Sequence, residues 1–372
     1  MPSSRRLLLT ALALATAASC TGSPSTAPTT GPPTSQPPPE VSGKLIGALP
    51  LSNFTEAAIV DLATGEVTDV EGEDIGDDTF IGGAAWGSDG NAYMTVDRLV
   101  RQTDLFGGGD YATQVLQVAP DGTATPIGPE IPDGGGMLGE HDGVVFALTC
   151  GEDPGVLALD TRAPDEWRHV ADGCPAALSP DGTEVATVVR DDDGSRVVIT
   201  SLDDGATRDA VRLDDLSELR TQAGLGQAPV EVVSWGAQGI SLVVGQEAEG
   251  SDRYALIFLP EGGEPVVHAL GSAVTYTAAW QPGGALLALQ QCRGCTRAFR
   301  RDPRGEVRAY DASADAFIQI ASSDNEFGPV TWSPDGSRLL ATLGQGDVLV
   351  MDASGTPLGR LELPVEPLAW TA

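Results

Sequence analysis

The sequence has few basic residues for its length. Its 372 residues include 21 Lys and Arg against 53 Asp and Glu, and the formal net charge at pH 7 is −32. A protein that binds nucleic acid needs a basic surface to neutralise phosphates, and close contact with anionic lipid headgroups needs the same. The composition therefore excludes nucleic acid and an anionic headgroup surface as direct partners.

Histidine is also scarce. Only His141, His169 and His268 occur, each in a different part of the chain. The sequence contains no G-x-S-x-G elbow, no H-E-x-x-H zinc motif and no glycine-rich phosphate loop. Aspartate runs such as residues 191–193 lack the spaced ligands of a calcium loop. We therefore predict no metal and no cofactor, and we assign no catalytic residue.

Aromatic residues are also few, at 5%, whereas glycine is abundant at 46 residues. This balance favours short strands joined by many turns. The stretch from Thr331 to Leu343 shows the pattern, since two apolar strand-like runs flank a Ser-Pro-Asp-Gly turn. Pro334 presets the first central position of the turn, and Gly336 can adopt the left-handed conformation that closes a tight hairpin.

The same turn recurs along the chain at a period of roughly 50 residues, which indicates a repeat architecture. Six turn glycines align, at Gly90, Gly143, Gly182, Gly239, Gly284 and Gly336. A tryptophan precedes four of these turns, at Trp86, Trp235, Trp280 and Trp332. A second hairpin with a polar Asp/Gly turn follows each copy and occurs seven times. One copy of the first hairpin is therefore missing.

The two ends of the repeat region supply the missing hairpin. Trp370 stands in the last residues where each repeat carries its tryptophan, and the segment from Lys44 resembles the strand that follows the turn. A ring of four-stranded blades, closed by pairing these two segments, leaves only short protected edges. We predict an all-β fold over residues 44–372, a seven-bladed β-propeller of four-stranded antiparallel blades.

The turn itself carries a family resemblance. The W-S-P-D-G segment from Trp332 to Gly336, and the S-P-D-G segment from Ser179 to Gly182, resemble the repeat of TolB-type, WD-like propellers of bacteria. The resemblance implies the fold and a periplasmic or other extracytoplasmic location. Because the motif is a structural turn, it says little about chemistry.

The N-terminal residues predict export and a lipid anchor. Arg5 and Arg6 precede a 12-residue apolar stretch, Leu7 to Ala18, which is too short to span a membrane and is typical of a secretory signal. Small residues directly before Cys20 resemble a bacterial lipobox, which implies a signal peptide over 1–19 and acylation of Cys20. The alternative is ordinary signal cleavage with Cys20 left as a free thiol. The proline-rich residues 20–43 predict a tether.

Four further cysteines are expected to pair in an oxidising compartment. Cys150 and Cys174 fall in connections on one face of the predicted propeller, and Cys292 and Cys295 sit together in another connection on that face. We predict disulfides Cys150–Cys174 and Cys292–Cys295. The alternative for the second pair is a redox or metal site, which no second ligand pair in the sequence supports.

Two predicted long loops on that face are candidate contact regions. The first, residues 292–308, concentrates arginines on an acidic protein and suits an acidic group, with internal pairing as the alternative. The second, residues 97–114, holds apolar side chains in a glycine-rich stretch, with simple loop packing as the alternative. The candidate partner-binding residues are Arg293, Arg297, Arg300, Arg301, Phe106 and Tyr111.

These features together predict a monomeric lipoprotein on the extracytoplasmic face of a bacterial cell membrane. Its propeller would act as a binding or scaffold module for an envelope protein or glycan. The alternative is a propeller hydrolase or lyase with acidic residues lining the central channel. The missing His and metal motifs favour the first function.

Overall fold

The computed structural model describes residues 41–49, 55–72, 75, 79–102, 109–132, 134–192, 194–225, 228–246, 253–295, 300–323, 328–342 and 346–371. For residues 101–102, 109–110, 246, 293–295, 300–304 and 323 it describes the backbone alone. The predicted signal segment and Cys20 lie outside the described residues. No helix in the described ranges is long and apolar enough to cross a membrane.

The strands group into seven sheets, which we number as blades 1 to 7. Blade 1 contains β1 (Lys44–Ala48), β2 (Ala57–Asp61), β3 (Val67–Asp69) and β28 (Glu366–Thr371). Blade 2 contains β4 (Thr79–Trp86), β5 (Ala92–Gln102), β6 (Gly109–Val118) and β7 (Ala124–Pro132). Blade 3 contains β8 (Gly135–His141), β9 (Val144–Thr149), β10 (Gly155–Asp160) and β11 (Arg168–Asp172). Blade 4 contains β12 (Ala176–Leu178), β13 (Glu184–Asp191), β14 (Gly194–Ser201) and β15 (Thr207–Arg212).

The remaining three blades follow one short helix, α1 (Ser217–Gln222). Blade 5 contains β16 (Val230–Gly236), β17 (Gly239–Gln246), β18 (Arg253–Pro260) and β19 (Val266–Gly271). Blade 6 contains β20 (Val274–Trp280), β21 (Leu286–Cys295), β22 (Arg300–Asp311) and β23 (Ala316–Ser323). Blade 7 contains β24 (Val330–Trp332), β25 (Arg338–Thr342), β26 (Asp347–Asp352) and β27 (Pro357–Glu362).

Each blade is a four-stranded antiparallel meander, and the first strand of every blade lies at the centre of the ring. In blade 1 the order is β28-β1-β2-β3, so the first strand comes from the far end of the described chain. The inner strands β28, β4, β8, β12, β16, β20 and β24 contact one another in a closed cycle. The predicted seven-bladed propeller, with its split blade, is confirmed.

The Ser-Pro-Asp-Gly turn is held by its own aspartate. Ser333 Oγ donates a hydrogen bond of 2.6 Å to Asp335 Oδ1, and the backbone N–H of Ser337 donates one of 2.9 Å to the same oxygen. These donors, with the Ser337 hydroxyl, lower the pKa of Asp335 to about 2. Gly336 closes the turn with a φ of 67°. The turn chemistry predicted from the sequence is therefore present.

One aligned turn glycine was assigned wrongly. In the Gln-Pro-Gly-Gly turn of blade 6, Gly283 and not Gly284 has the positive φ, at 63°. A Cβ on Gly284 would lie 2.0 Å from Oε1 of Gln281, so Gly284 provides space and not a left-handed conformation. The second glycine displaces the bend by one residue because glycine adopts positive φ at either position.

The predicted tryptophans connect neighbouring blades. Trp332 Nε1 donates to the carbonyl of Ala279 at 3.0 Å, and Trp280 Nε1 donates to the carbonyl of Ser234 at 3.3 Å. Trp86 Nε1 donates to the carbonyl of Ala369 at 3.3 Å. In each case the indole reaches the inner strand of the preceding blade. The pre-turn tryptophan therefore fixes the spacing between inner strands as well as filling the core.

The hydrophobic core lies between adjacent blades. One cluster joins Ala288 and Val307 of blade 6 to Trp332 and Leu339 of blade 7, all of them buried. Alternating β-branched and small side chains suit this packing, because both sides of a blade are covered by its neighbours. Each blade is therefore stabilised mainly by the next one.

The helix α1, which lies in the connection between blades 4 and 5, was not predicted from the sequence. Arg220 on this helix is only 4% exposed. Its guanidinium donates to the carbonyls of Ala228 at 2.5 Å and Leu213 at 3.4 Å, and burial lowers its pKa. The arginine thus satisfies backbone carbonyls of the connection itself.

The split blade predicts how the ring fails. Deleting residues 365–372 removes β28 together with the buried side chains of Val365 and Trp370. Loss of a buried tryptophan alone costs about 3–5 kcal/mol, and the open edge of β1 adds to this. We expect a large fall in melting temperature or aggregation, measured by calorimetry.

The matched control for this deletion is Trp370→Phe. This variant keeps β28 and loses the hydrogen bond of 3.0 Å from Trp370 Nε1 to the carbonyl of Ser42. Its loss of stability should be about 0.5–1.5 kcal/mol. A deletion variant that melts like Trp370→Phe would show that the ring does not depend on this closure.

Candidate interaction face

The propeller has two unlike faces. Because the strands run antiparallel, the turns between first and second strands and between third and fourth strands lie on one face, which we call the turn face. The connections between second and third strands, and those between blades, lie on the opposite face. We call this the hairpin face because β5–β6 and β21–β22 extend from it.

The two long loops predicted from the sequence are instead extended β-hairpins. Strands β5 and β6 remain paired as far as Gln102 and Gly109, and β21 and β22 as far as Cys295 and Arg300. The sequence suggested loops because glycines and charged residues interrupt the apolar alternation. Cross-strand hydrogen bonding between backbones continues regardless of these side chains, so the regular structure extends beyond the apolar pattern.

The β5–β6 hairpin carries an exposed apolar patch. Val100 is 61% exposed, Leu99 is 38% exposed, and Phe80 at the start of β4 is 44% exposed. Leu99 pairs directly with Tyr111 on β6, and Phe80 pairs with Asp97, two residues before Leu99. Directly paired residues share one side of a sheet. Phe80, Leu99, Val100 and Tyr111 are called the hairpin patch below.

A β-bulge shapes this patch. The register between β5 and β6 shifts between Leu99 and Arg101, so Val100 has no direct partner on β6. A bulge bends its strand and redirects the extra side chain. Val100 is consequently the most exposed of the large apolar residues on the described surface. The backbone geometry, and not the side chain's own preference, places it in solvent.

A half-buried carboxylate, Asp97, supports the base of the hairpin. Asp97 accepts a hydrogen bond from Thr113 Oγ1 on β6 and another from the backbone N–H of Gly135 on β8. Burial raises the pKa of Asp97, and the two hydrogen bonds lower it in part. The side chain therefore links both strands of the hairpin to the inner strand of blade 3. A carboxylate in such a site is often retained for function and not for stability.

The arginine-rich segment belongs to the β21–β22 hairpin. Arg293 lies on β21, and Arg300 and Arg301 lie on β22, where the structure describes the backbone alone. Arg297 and Phe106 lie outside the described residues. Of the predicted contact residues, the structure thus brings Tyr111 beside Leu99 and places three arginines on the projecting strands of blade 6.

A disulfide between Cys150 and Cys174 is present on the hairpin face. It joins the connection after β9 to the connection before β12, as the sequence predicted, with a Cα–Cα distance of 5.5 Å. Cys292 is also disulfide-bonded. Its predicted partner, Cys295, ends β21, and its side chain lies outside the described residues.

The carboxylates of the inner strands are separated from one another. The described inner strands carry Glu140 on β8, Glu231 on β16 and Glu366 on β28. Glu140 accepts hydrogen bonds from the Ser88 and Gly143 backbone N–H groups at the turn face. Glu231 and Glu366 lie in blades 5 and 1, which are not adjacent. The described residues hold no group of three or more His, Cys, Asp or Glu suited to a metal ion.

Four residues of this face were missed as candidates in the sequence analysis: Phe80, Asp97, Leu99 and Val100. Leu99 and Val100 fell within the predicted loop 97–114, and nothing in the sequence marks the bulge beside them. Asp97 marked only the start of that loop, and its hydrogen bond from Gly135 joins residues that are distant in sequence. The bulge and this hydrogen bond both arise from contacts between strands.

Comparison with known proteins supports the fold. No family model matches the chain, and no curated protein matches its sequence. A chain of the mitotic checkpoint complex is 14% identical, with a TM-score of 0.50 over 80% of this chain and 85% of that one. An oligogalacturonate lyase in complex with manganese is 13% identical, with a TM-score of 0.51 over 87% and 86%. TolB from Acinetobacter baumannii is 13% identical, with a TM-score of 0.44 over 89% and 67%. At these identities the similarity is one of fold alone.

Asp97 predicts a pH dependence of stability. Its pKa is raised in the folded state, so its contribution to stability is fully present below the unfolded pKa of about 3.9 and is lost as pH rises through the folded pKa. Asp97→Asn keeps a hydrogen-bond acceptor and removes the charge. We expect the variant to melt higher than the wild type at pH 7, and the difference to vanish near pH 3, in thermal melts across this range.

Asp121→Asn provides a control of opposite sign. Hydrogen bonds from the Thr123 backbone and hydroxyl lower the pKa of Asp121, so its contribution is present at neutral pH and is lost on acidification. This variant should melt at or below the wild-type temperature at pH 7. If the melting temperatures of the two variants change with pH in the same way, the raised pKa of Asp97 is contradicted.

Proposed function

We propose that this chain is a binding propeller of the bacterial envelope, anchored to the extracytoplasmic face of the cell membrane through Cys20. It presents its hairpin face to an envelope protein or glycan. The hairpin patch is the single observation that carries the binding role. It is a set of solvent-accessible apolar side chains on the hydrogen-bonded strands β4, β5 and β6 of a chain whose net charge is −32.

The patch has the composition of a recognition site. Exposed apolar groups that lie together cost free energy in water, and such patches mark interaction surfaces more often than chance exposure does. Leu99 and Tyr111 sit on paired strands of the hairpin. Arg98, which precedes Leu99 in the strand, forms a salt bridge with Glu130 of β7. Aromatic residues such as Phe80 and Tyr111 are enriched at protein–protein interfaces.

The scaffold under the patch supports this function. Asp97 joins the hairpin base to blade 3, and the propeller ring limits movement of the strands beneath it. A preorganised surface loses less conformational entropy on binding than a loop does. Recognition elements held by a rigid framework are the common arrangement in binding proteins.

The arginines of blade 6 indicate the charge of the proposed partner. Arg293, Arg300 and Arg301 lie on strands that project from the same face as the hairpin patch. On a chain of net charge −32, a local concentration of arginine attracts acidic groups and repels basic ones. The partner is therefore expected to offer an apolar surface and an acidic region.

The proposed binding role predicts the effect of Leu99→Ser/Val100→Ser. The double variant removes the apolar centre of the patch and should reduce capture of partners from an envelope extract by about tenfold or more. Capture is measured by quantitative mass spectrometry of proteins and bound glycans retained on the immobilised chain. Val67→Ser, on outer strand β3 and 43% exposed, is the matched control.

The arginines form a separate arm of this experiment. A triple change of Arg297, Arg300 and Arg301 to Ser should weaken capture of the same partners and flatten its salt dependence. If the double, triple and control variants all retain the same partners as the wild type, the hairpin face is not the binding site.

The anchor is tested separately. If Cys20 carries the lipid, Cys20→Ala should move the protein from the membrane fraction to the soluble fraction, because acyl chains supply the membrane affinity. Fractionation and immunoblotting measure the distribution, with Cys20→Ala compared against the wild type. Unchanged membrane retention of Cys20→Ala would contradict the anchor and leave the binding role untouched.

A further inference from the structure

The outermost strand of each blade has one edge that pairs with no other described strand, and five of these seven strands are protected. Proteins block open edges with short length, proline or charge, because a free edge pairs with other chains. Charged residues or proline occur in β3, β7, β11, β15 and β27. Strand β7 has prolines at positions 126, 129 and 132, and β3 has only three residues.

Strand β23 of blade 6 has none of these three features, and its pairing with β22 is regular except for a register shift at Ile320. Its eight residues, Ala-Phe-Ile-Gln-Ile-Ala-Ser-Ser, include no charged residue and no proline. It pairs with β22 on one side, and no other described strand pairs with it on the other side. Ile318 near its middle is 39% exposed. Strand β19 also lacks charge and proline, but it has six residues and none of the exposed large apolar side chains.

The side chains of β23 are held firmly, so the edge is preformed. Phe317 lies under the guanidinium of Arg308 at 4.3 Å and stacks edge-on against His268 of blade 5. On the other side of the strand, Ile320 packs with the core cluster between blades 6 and 7. A strand that is fixed on both sides loses little conformational entropy when another strand pairs with it.

The turn before β23 carries negative charge. Asp311 pairs with Ala316 at the base of this turn, and Asp315 immediately precedes the strand with 57% of its side chain exposed. Asp315 Oδ1 accepts hydrogen bonds from Tyr310 Oη and His268 Nε2, each at 2.8 Å, which fix its position. One end of the neutral edge is therefore acidic.

We infer that β23 is a docking edge for an extended segment of a partner protein, which adds as a fifth strand to blade 6. The segment has apolar side chains at alternate positions, to pack beside Ile318, and a basic end that lies next to Asp311 and Asp315. Main-chain hydrogen bonds supply affinity in this mode and the alternate side chains supply specificity. A second copy of this chain is a poor occupant, because two chains of net charge −32 repel each other.

The test uses the full chain and a defined peptide. The probe is a fluorescein-labelled octapeptide, Lys-Lys-Thr-Val-Thr-Val-Thr-Val, and the control peptide has proline in place of the central valine. Fluorescence anisotropy measures binding, and hydrogen exchange locates it. We expect saturable binding of the first peptide alone, with slowed exchange confined to residues 316–323.

Two matched substitutions assign the binding to β23. Ile318→Glu removes the apolar contact yet keeps attraction for the lysines, and it should weaken binding at least about tenfold. Val67→Glu makes the same change on outer strand β3 and should have no effect. Unchanged melting temperatures of both variants show that the fold is intact.

The remaining outcomes are decisive as well. Absence of saturable binding, equal binding of the proline peptide, or equal affinity of Ile318→Glu and wild type would overturn the proposal. A dimer in sedimentation that Ile318→Glu abolishes would make a second copy the occupant, and would overturn it too. Leu99→Ser/Val100→Ser should leave peptide binding unchanged. The β23 proposal and the proposed binding role of the hairpin face can therefore fail independently of each other.

Discussion

The indole of Trp370 donates a hydrogen bond to the carbonyl of Ser42, 328 residues earlier in the chain. Around this contact β28 pairs with β1, and Trp86 of blade 2 in turn binds the carbonyl of Ala369 on β28. The inner strand of each blade contacts the inner strand of the blade before it, so the contacts form a closed cycle around the ring. The positions of the blades, and of both projecting hairpins, depend on the closure of this cycle.

The fold was predictable because its signals are local. The S-P-D-G turn specifies a hairpin within four residues, and the repeated tryptophan marks the same strand in several blades. Apart from Tyr111, the hairpin patch had no such signal, because Val100 lies at a bulge and Asp97 accepts a hydrogen bond from Gly135 of another blade. The helix α1 was missed for a related reason. It is short, and its buried Arg220 binds carbonyls of the connection around it.

The surface chemistry follows from charge. With 53 acidic and 21 basic residues, repulsion keeps copies of the chain apart and leaves a few neutral or apolar regions as the places where another molecule can approach closely. The hairpin patch on blade 2 and the β23 edge on blade 6 are two such regions. The proposed binding at the two regions differs in its interactions. Side-chain contacts would supply most of the affinity at the hairpin patch, and backbone hydrogen bonds would supply most of it at the β23 edge. The two proposals together assign two separate partner sites to one propeller.

The split blade also has a consequence for the order of assembly. Synthesis proceeds from the N-terminus, so β1, β2 and β3 emerge first and wait for a partner strand that follows all the other blades. Contacts this distant in sequence slow folding, because a long loop must close before they form. Until then the edge of β1 that pairs with β28 is unpaired, and the side of blade 7 that packs against blade 1 is uncovered. The newly made chain is thus most vulnerable to misassociation and proteolysis just before β28 arrives, and chaperones that cover strand edges would act in that interval.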